Sequence, residues 1–207
     1  MTRPNSEIFT AIELSRKGFI VYEKACGVWR VSRGCPAQWA FVDDNGKQMH
    51  AKLFDSAQPI SEGLSGVEFS DFAYHIDPSG SRIYSQSYKK VGPYTEGLAW
   101  VVPFSVKNKC MYHINREGQS IYRYRFDCLG SFSEGLAVAS INGTYFHIDR
   151  NGLPEYENRF KNLTGFNEGQ AFALGEYWVV LIDHKGQIVK KYCRPGDPED
   201  PFRVRML

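Results

Sequence analysis

Apolar and polar residues alternate with a period of two over short runs, as in Cys110-Met111-Tyr112-His113-Ile114 and Ser120-Ile121-Tyr122-Arg123-Tyr124. Such alternation predicts half-buried β-strands, because successive side chains on a strand point to opposite faces. It sets Tyr112 with Ile114 on one face and His113 with Asn115 on the other. Between the runs, turn residues recur in register. An aromatic or aliphatic residue, then Ile or Val, then Asp or Asn, two variable residues and Gly occurs five times: Phe41 to Gly46, His75 to Gly80, His113 to Gly118, His147 to Gly152 and Leu181 to Gly186. The glycines are 34, 38, 34 and 34 residues apart. A second block keeps the same beat: Glu62-Gly63-Leu64-Ser65, Glu96-Gly97-Leu98-Ala99, Glu134-Gly135-Leu136-Ala137 and Glu168-Gly169-Gln170-Ala171. An aromatic stands nine residues before each of its glycines, at Phe54, Tyr88, Phe126 and Phe160.

Three markers in one phase predict an all-β chain of about five tandem β-meander repeats, each 34–38 residues long. Asp-x-x-Gly reads as the hairpin connection of each unit, the Asp capping the turn and the Gly taking the left-handed position. Strands are expected on both sides of it, with a third strand opening at Glu-Gly-Leu-Ala and a short fourth at the Phe126-Asp127 type of segment. The same phase sets the domain bounds: an N-terminal segment 1–18, a single repeat domain 19–192, and a Pro-rich tail 193–207. Ser6 to Arg16 is expected as a short capping helix, with Ile8, Ile12 and Leu14 on one face and Gly18 behind it. Phe19-Ile20-Val21-Tyr22 sits where the aromatic segment missing after Tyr192 belongs in phase. That arrangement favours a small propeller-like ring closed by strand exchange, with an open β-solenoid as the alternative.

The markers resemble the WG-type β repeat of bacterial proteins, whose units run roughly Trp-Gly-Tyr-Ile-Asp-x-x-Gly-Lys, an aromatic-Asp pair, then Phe-x-Glu-Gly-Leu-Ala. Phe126-Asp127 through Ala137 and Phe41 through Lys47 fit closely, and the likeness extends from about Gly27 to Tyr192. The repeats are degenerate. Only Trp39-Ala40 approaches the name-giving pair, and the small second residue becomes Tyr74, Tyr112, Phe146 and Val180. The resemblance implies a repeat scaffold used for interactions and carries over no catalytic residue.

Composition adds limits. Lys plus Arg is 25 against Asp plus Glu at 23, a net charge of +2, which disfavours nucleic acid as partner. The start is polar, and the apolar run Trp178 to Ile182 is far shorter than a membrane span, so neither a signal peptide nor a membrane partner is expected. Five cysteines without a C-x-x-C pair read as small buried side chains in a reduced, cytoplasmic setting. Delivery by a signal-less secretion route stays open, since it leaves no mark in composition.

Candidate chemistry is sparse. His75, His113 and His147 share one repeat position, with Asp77, Asn115 and Asp149 two residues on, a weak metal-ligand candidate. Against it, each His replaces an aromatic of the repeat and Phe41 and Leu181 interrupt the row; no metal, cofactor or catalytic residue is expected. The repeated glutamates read as structural acceptors in the turn before Gly rather than paired acids for glycoside hydrolysis. Aromatics outside the repeat phase point better to binding: Trp29, Trp39, Trp100, Trp178, Tyr122 and Tyr177. The expected function is a non-enzymatic β-repeat scaffold that binds another protein through loops or one face of the array. The alternatives are a glycan or small-ligand module using exposed Trp and Tyr and, more weakly, a metal-dependent enzyme using the His row.

Overall fold

The computed structural model describes residues 4–104, 110–175 and 178–193. The tail from residue 194 and Tyr177 lie outside them. The described residues carry one helix and five small antiparallel sheets. The first sheet is β1 (Ile20–Ala25), β2 (Val28–Arg33) and β3 (Gln38–Val42); the second is β4 (Ser56–Ala57), β5 (Ser65–Phe69) and β6 (Phe72–Ile76). The third comprises β7 (Lys90–Val91), β8 (Ala99–Val102) and β9 (Tyr112–Ile114), and the fourth β10 (Cys128–Ser133), β11 (Leu136–Ile141) and β12 (Thr144–Ile148). The fifth has four strands: β13 (Asn162–Leu163), β14 (Ala171–Leu174), β15 (Trp178–Ile182) and β16 (Ile188–Cys193). Strands in every sheet succeed one another in chain order. The described residues form two compact units, residues up to 104 with 114–119, and 110–113 with residues from 120 on.

The Glu-Gly marker is a two-residue hairpin turn. Glu62, Glu96, Glu134 and Glu168 have φ between 52° and 56°, and the glycines after them between 77° and 82°. Two successive left-handed residues make a type I′ turn, whose twist matches the flanking strands. Ser61 and Leu64 exchange backbone hydrogen bonds across one such turn, at 2.9 and 3.0 Å. The Asp-x-x-Gly marker is also a turn of the expected kind. Asp43 Oδ1 accepts from the N–H groups of Asn45 and Lys47 at 2.9 and 2.8 Å, and Asp149 and Asp183 repeat the pattern.

The segment after Asp-x-x-Gly departs from expectation. The strand predicted over Ser120–Tyr124 does not form; bend residues take its place, and the chain rejoins the sheet through the Met111–Phe126 bridge. The first, second and fourth units behave alike, with one bridge after the turn and a second at Phe54, Tyr88 and Phe160. In the fifth unit alone the predicted strand exists, as β16 paired with β15. The cause is the side chain nine residues after the His position. In a straight strand Tyr122 and Tyr124 would share one face, whereas Tyr122 is buried and Tyr124 exposed. The chain bends so that Tyr84, Tyr122 and Tyr156 turn inward; Lys190 holds that place in the fifth unit, and the strand runs on.

At the N-terminus, Phe19–Tyr22 does not leave to complete a distant sheet, because β1 pairs with β2 in the first. The helix α1 (Pro4–Arg16) ends in a Schellman motif: Gly18 (φ +87°) donates to Ser15 O at 3.0 Å and Phe19 N to Leu14 O at 3.2 Å. Leu14 is fully buried against Trp29, Val31, Ala40 and Val42. Ile12 does not join it and is 47% exposed. Two residues on a helix turn by about 200°, so positions 12 and 14 lie on opposite faces. The side chain of Ile8 lies outside the described set. Cys26, Cys35 and Cys128 are exposed rather than buried, and Cys110 is half-buried. Cys26 is held in a turn at φ 51°, which removes it from the alternating pattern that buries strand residues.

Candidate functional site

The histidine row takes equivalent hydrogen-bond partners in three repeats. His75, His113 and His147 are fully buried, each at the end of the third strand of its sheet. Nε2 of His75 lies 2.8 Å from the carbonyl oxygen of Gly92, and its Nδ1 2.5 Å from the hydroxyl of Tyr84. His113 repeats this with Gly130 O at 3.0 Å and Tyr122 Oη at 2.6 Å. His147 does so with Thr164 O at 2.9 Å and with Tyr156 Oη. A carbonyl only accepts, so Nε2 carries the proton and donates, while Nδ1 accepts from the tyrosine hydroxyl. Both ring nitrogens are thus engaged, and neither offers a lone pair to an ion. Asp77, Asn115 and Asp149 are engaged too, each accepting backbone N–H bonds within its own turn. The row therefore lacks the open ligands that its metal reading requires.

Each carbonyl partner lies at the first strand of the following sheet, so the imidazole is a strut between consecutive repeats. Burial pushes each of the three histidines down to about 4, against a smaller upward pull from the bond to the carbonyl. Burial likewise raises the phenols of Tyr84, Tyr122 and Tyr156. The aromatic of the Phe-x-Glu-Gly block packs on the same imidazole from the next repeat: Tyr94 on His75 at 4.6 Å, Phe132 on His113 at 4.6 Å and Phe166 on His147 at 4.4 Å.

The other markers make the same kind of link. A Cβ on Gly118 would lie 2.8 Å from the ring of Tyr84, and one on Gly152 2.8 Å from Tyr122. Gly186 stands to Tyr156 in the same way, at 2.7 Å. Glycine is needed in these turns both for its left-handed φ and because the previous repeat's tyrosine lies against it. In the first unit Phe41 replaces the His and His50 the Tyr, so the ring pair keeps its place without the strut. The Gly46 turn is met instead by the helix end, with Leu14 at 3.1 Å and Lys17 at 3.4 Å from a Cβ placed there. The glutamates also reach forward. Glu62 accepts from Gly97 N at 3.0 Å and Glu134 from Gly169 N at 3.0 Å, and Glu134 pairs with His184 at 3.0 Å.

The aromatics singled out by sequence are mostly used within the fold. Trp29 is buried and donates Nε1–H to Asp44 at 2.8 Å, and Tyr122 is a strut residue. Trp100 and Trp178 lie against Gly92 and Gly175, where a Cβ would meet the rings at 2.2 and 2.5 Å. Trp39 is half-buried beside Tyr22, ring centres 4.5 Å apart, with the Arg30 guanidinium over it at 4.9 Å. Exposed rings occur elsewhere. Phe69 and Phe72 face each other across the Ser70-Asp71 turn, and Phe72 (50% exposed) meets Phe104 (46% exposed) edge-on at 5.4 Å. Aromatics flanking a polar two-residue turn were the sequence signal for this cluster.

The WG containing repeat family model matches residues 39–71 and 114–145, so these two stretches are WG-type β repeats. No curated protein matches the chain. Among solved structures, Kluyveromyces lactis Hsv2 is similar at 8% identity and a TM-score of 0.54, over 79% of this chain and 61% of that one. The Neurospora crassa Pan2 WD40 domain is similar at 11% identity and a TM-score of 0.46, over 85% and 65%. The chain thus spans about three fifths of the length of the Hsv2 structure. Hsv2 is a propeller-like protein, and the likeness to it is one of fold alone. No helix among the described residues is long and apolar enough to cross a membrane.

Proposed function

We propose that the chain is a non-enzymatic β-repeat scaffold that binds another protein through exposed hairpin tips. The observation that carries this reading is the Phe69–Phe72–Phe104 cluster, three exposed aromatic rings of which Phe69 and Phe72 flank a two-residue hairpin turn. Exposed aromatic clusters supply most of the energy of protein contacts, and rigid repeat arrays are suited to presenting them. The absence of chemistry is supported by the markers themselves, whose histidines, glutamates and aspartates are spent on turns and on links between repeats. The free cysteines Cys26, Cys35, Cys110 and Cys128 are in keeping with a reducing, cytoplasmic setting. Affinity purification with the wild-type chain and with Phe72→Ser/Phe104→Ser tests the proposal. A stoichiometric protein partner held by the wild type and lost from the double variant is the expected result. A partner retained by the double variant would overturn the assignment of the surface, and glycan binding abolished by Trp39→Ala would replace it with a sugar-binding reading.

A further inference from the structure

Asn-Gly occurs three times in the chain, at 45–46, 142–143 and 151–152. In this pair the backbone nitrogen can attack the side chain before it, because glycine puts no Cβ in the path. All three pairs sit in turns, and their glycines share one backbone state, with φ between 75° and 79°. Their surroundings differ. Gly46 N–H donates to Asp43 O at 3.0 Å, and Gly152 N–H to Asp149 O at 3.0 Å. Asn151 is held further, its Nδ2 donating to Asp149 Oδ2 at 3.0 Å. Both glycines are also walled in, with Leu14 3.1 Å from a Cβ placed on Gly46 and Tyr122 2.8 Å from one on Gly152. Asn142-Gly143 has neither restraint. It is the two-residue turn between β11 and β12, with Ile141 paired to Thr144, and both of its residues are exposed. Asn142 N–H donates to Asp127 Oδ2 at 2.7 Å, whereas Gly143 N–H has no acceptor among the described residues. A Cβ placed on Gly143 would meet no neighbour within 4 Å.

We infer that Asn142-Gly143 is a modification site, at which the folded chain deamidates in water to aspartate and isoaspartate. Solvent base takes the proton of Gly143 N–H, and the nitrogen attacks Cγ of Asn142. The N–Cγ bond forms, the Cγ–Nδ2 bond breaks, and Nδ2 leaves as ammonia with a proton returned from solvent. Water then opens the cyclic imide. Attack at Cγ leaves aspartate at 142 in an ordinary chain. Attack at the main-chain carbonyl carbon leaves the chain running through Cβ and Cγ, as isoaspartate. The isoaspartyl link lengthens a turn whose two left-handed residues set the register of β11 on β12. Either product puts a new carboxylate on the residue whose N–H the Asp127 carboxylate already holds. The reaction therefore loosens the fourth sheet from its hairpin tip.

Incubation of the full chain at mildly alkaline pH, followed by peptide mapping with electron-transfer fragmentation, tests this. Amide-to-acid conversion is expected at Asn142, with isoaspartate among the products, about tenfold faster than at Asn45 or Asn151. That factor is one hydrogen bond, which the other two glycine N–H groups must give up before reacting. In concentrated urea, where each pair has only its own sequence, the three should convert at like rates. Asn142→Gln, with circular dichroism confirming its fold, should remove the fast site, because the longer side chain closes a less favourable ring. Amide hydrogen exchange of the aged chain should show protection lost first in β11 and β12, and unchanged protection there would overturn the effect on the sheet. Conversion in the folded chain at Asn45 or Asn151 that matches Asn142 would overturn the site itself. So would an Asn142 that converts in urea and not in the folded chain.

Discussion

At the residue scale, the histidine and tyrosine of each central repeat form one unit with a fixed direction of donation. The tyrosine hydroxyl donates a hydrogen bond to Nδ1, and Nε2–H donates to a carbonyl of the next repeat. Removing only the hydroxyl leaves a buried acceptor unpaired, so Tyr122→Phe should destabilise the chain by about 1–3 kcal/mol in urea unfolding. Acid should act on all three struts together. Each imidazole is held down to about 4 from an ordinary value of 6.5, so the folded state resists protonation that the unfolded chain accepts. The associated stability is complete above pH 6.5 and is lost as pH falls through the interval down to 4. Full protonation should remove about 3 kcal/mol per strut, seen as a steep fall of the urea midpoint across that interval. His147→Phe should make the fall shallower, since one titrating group is gone.

At the scale of the element, glycines with the same backbone angle do different work. Gly143 (φ +75°) has open space where a Cβ would stand, whereas at Gly152 (φ +76°) the Tyr122 ring lies 2.8 Å away. Both alanine variants strain the backbone, but only Gly152→Ala displaces a neighbouring ring. It should be the more destabilising by about 1–3 kcal/mol in thermal or urea unfolding. The same contrast explains how far the elements were legible in the sequence. Asp-x-x-Gly and Glu-Gly announced turns because their conformations are set locally, by a side-chain cap and by left-handed residues. The missing strand at Ser120–Tyr124 was not legible, because its alternation is that of a strand. What bends it is the ring nine residues after the His position turning inward against the ring at that position, a tertiary demand without a trace in local periodicity. The exception at β16 is accounted for by Leu181 and Lys190, which put no ring pair at the two positions.

For the molecule as a whole, the polar markers of one repeat are committed to contacts with the next. His75, His113 and His147 were legible as a row, but their roles depended on carbonyls 17 residues downstream that no composition rule identifies. The unphased tryptophans were the natural guess for a binding surface. Trp29, Trp100 and Trp178 also have places in the fold, against the carboxylate of Asp44 and glycines 92 and 175. Phe69, Phe72 and Phe104 remain as exposed rings, and the proposed protein contact is placed on them. That assignment depends on the markers being connectors between repeats, a role the histidine rings report in their protonation. Side-chain nitrogen NMR of the full chain as a function of pH reads it out. His75, His113 and His147 should appear as neutral Nε2–H tautomers that stay neutral from pH 6.5 down to about 4. An Nδ1–H tautomer at any of the three, or protonation near the ordinary value of 6.5, would show that the rings do not join the repeats.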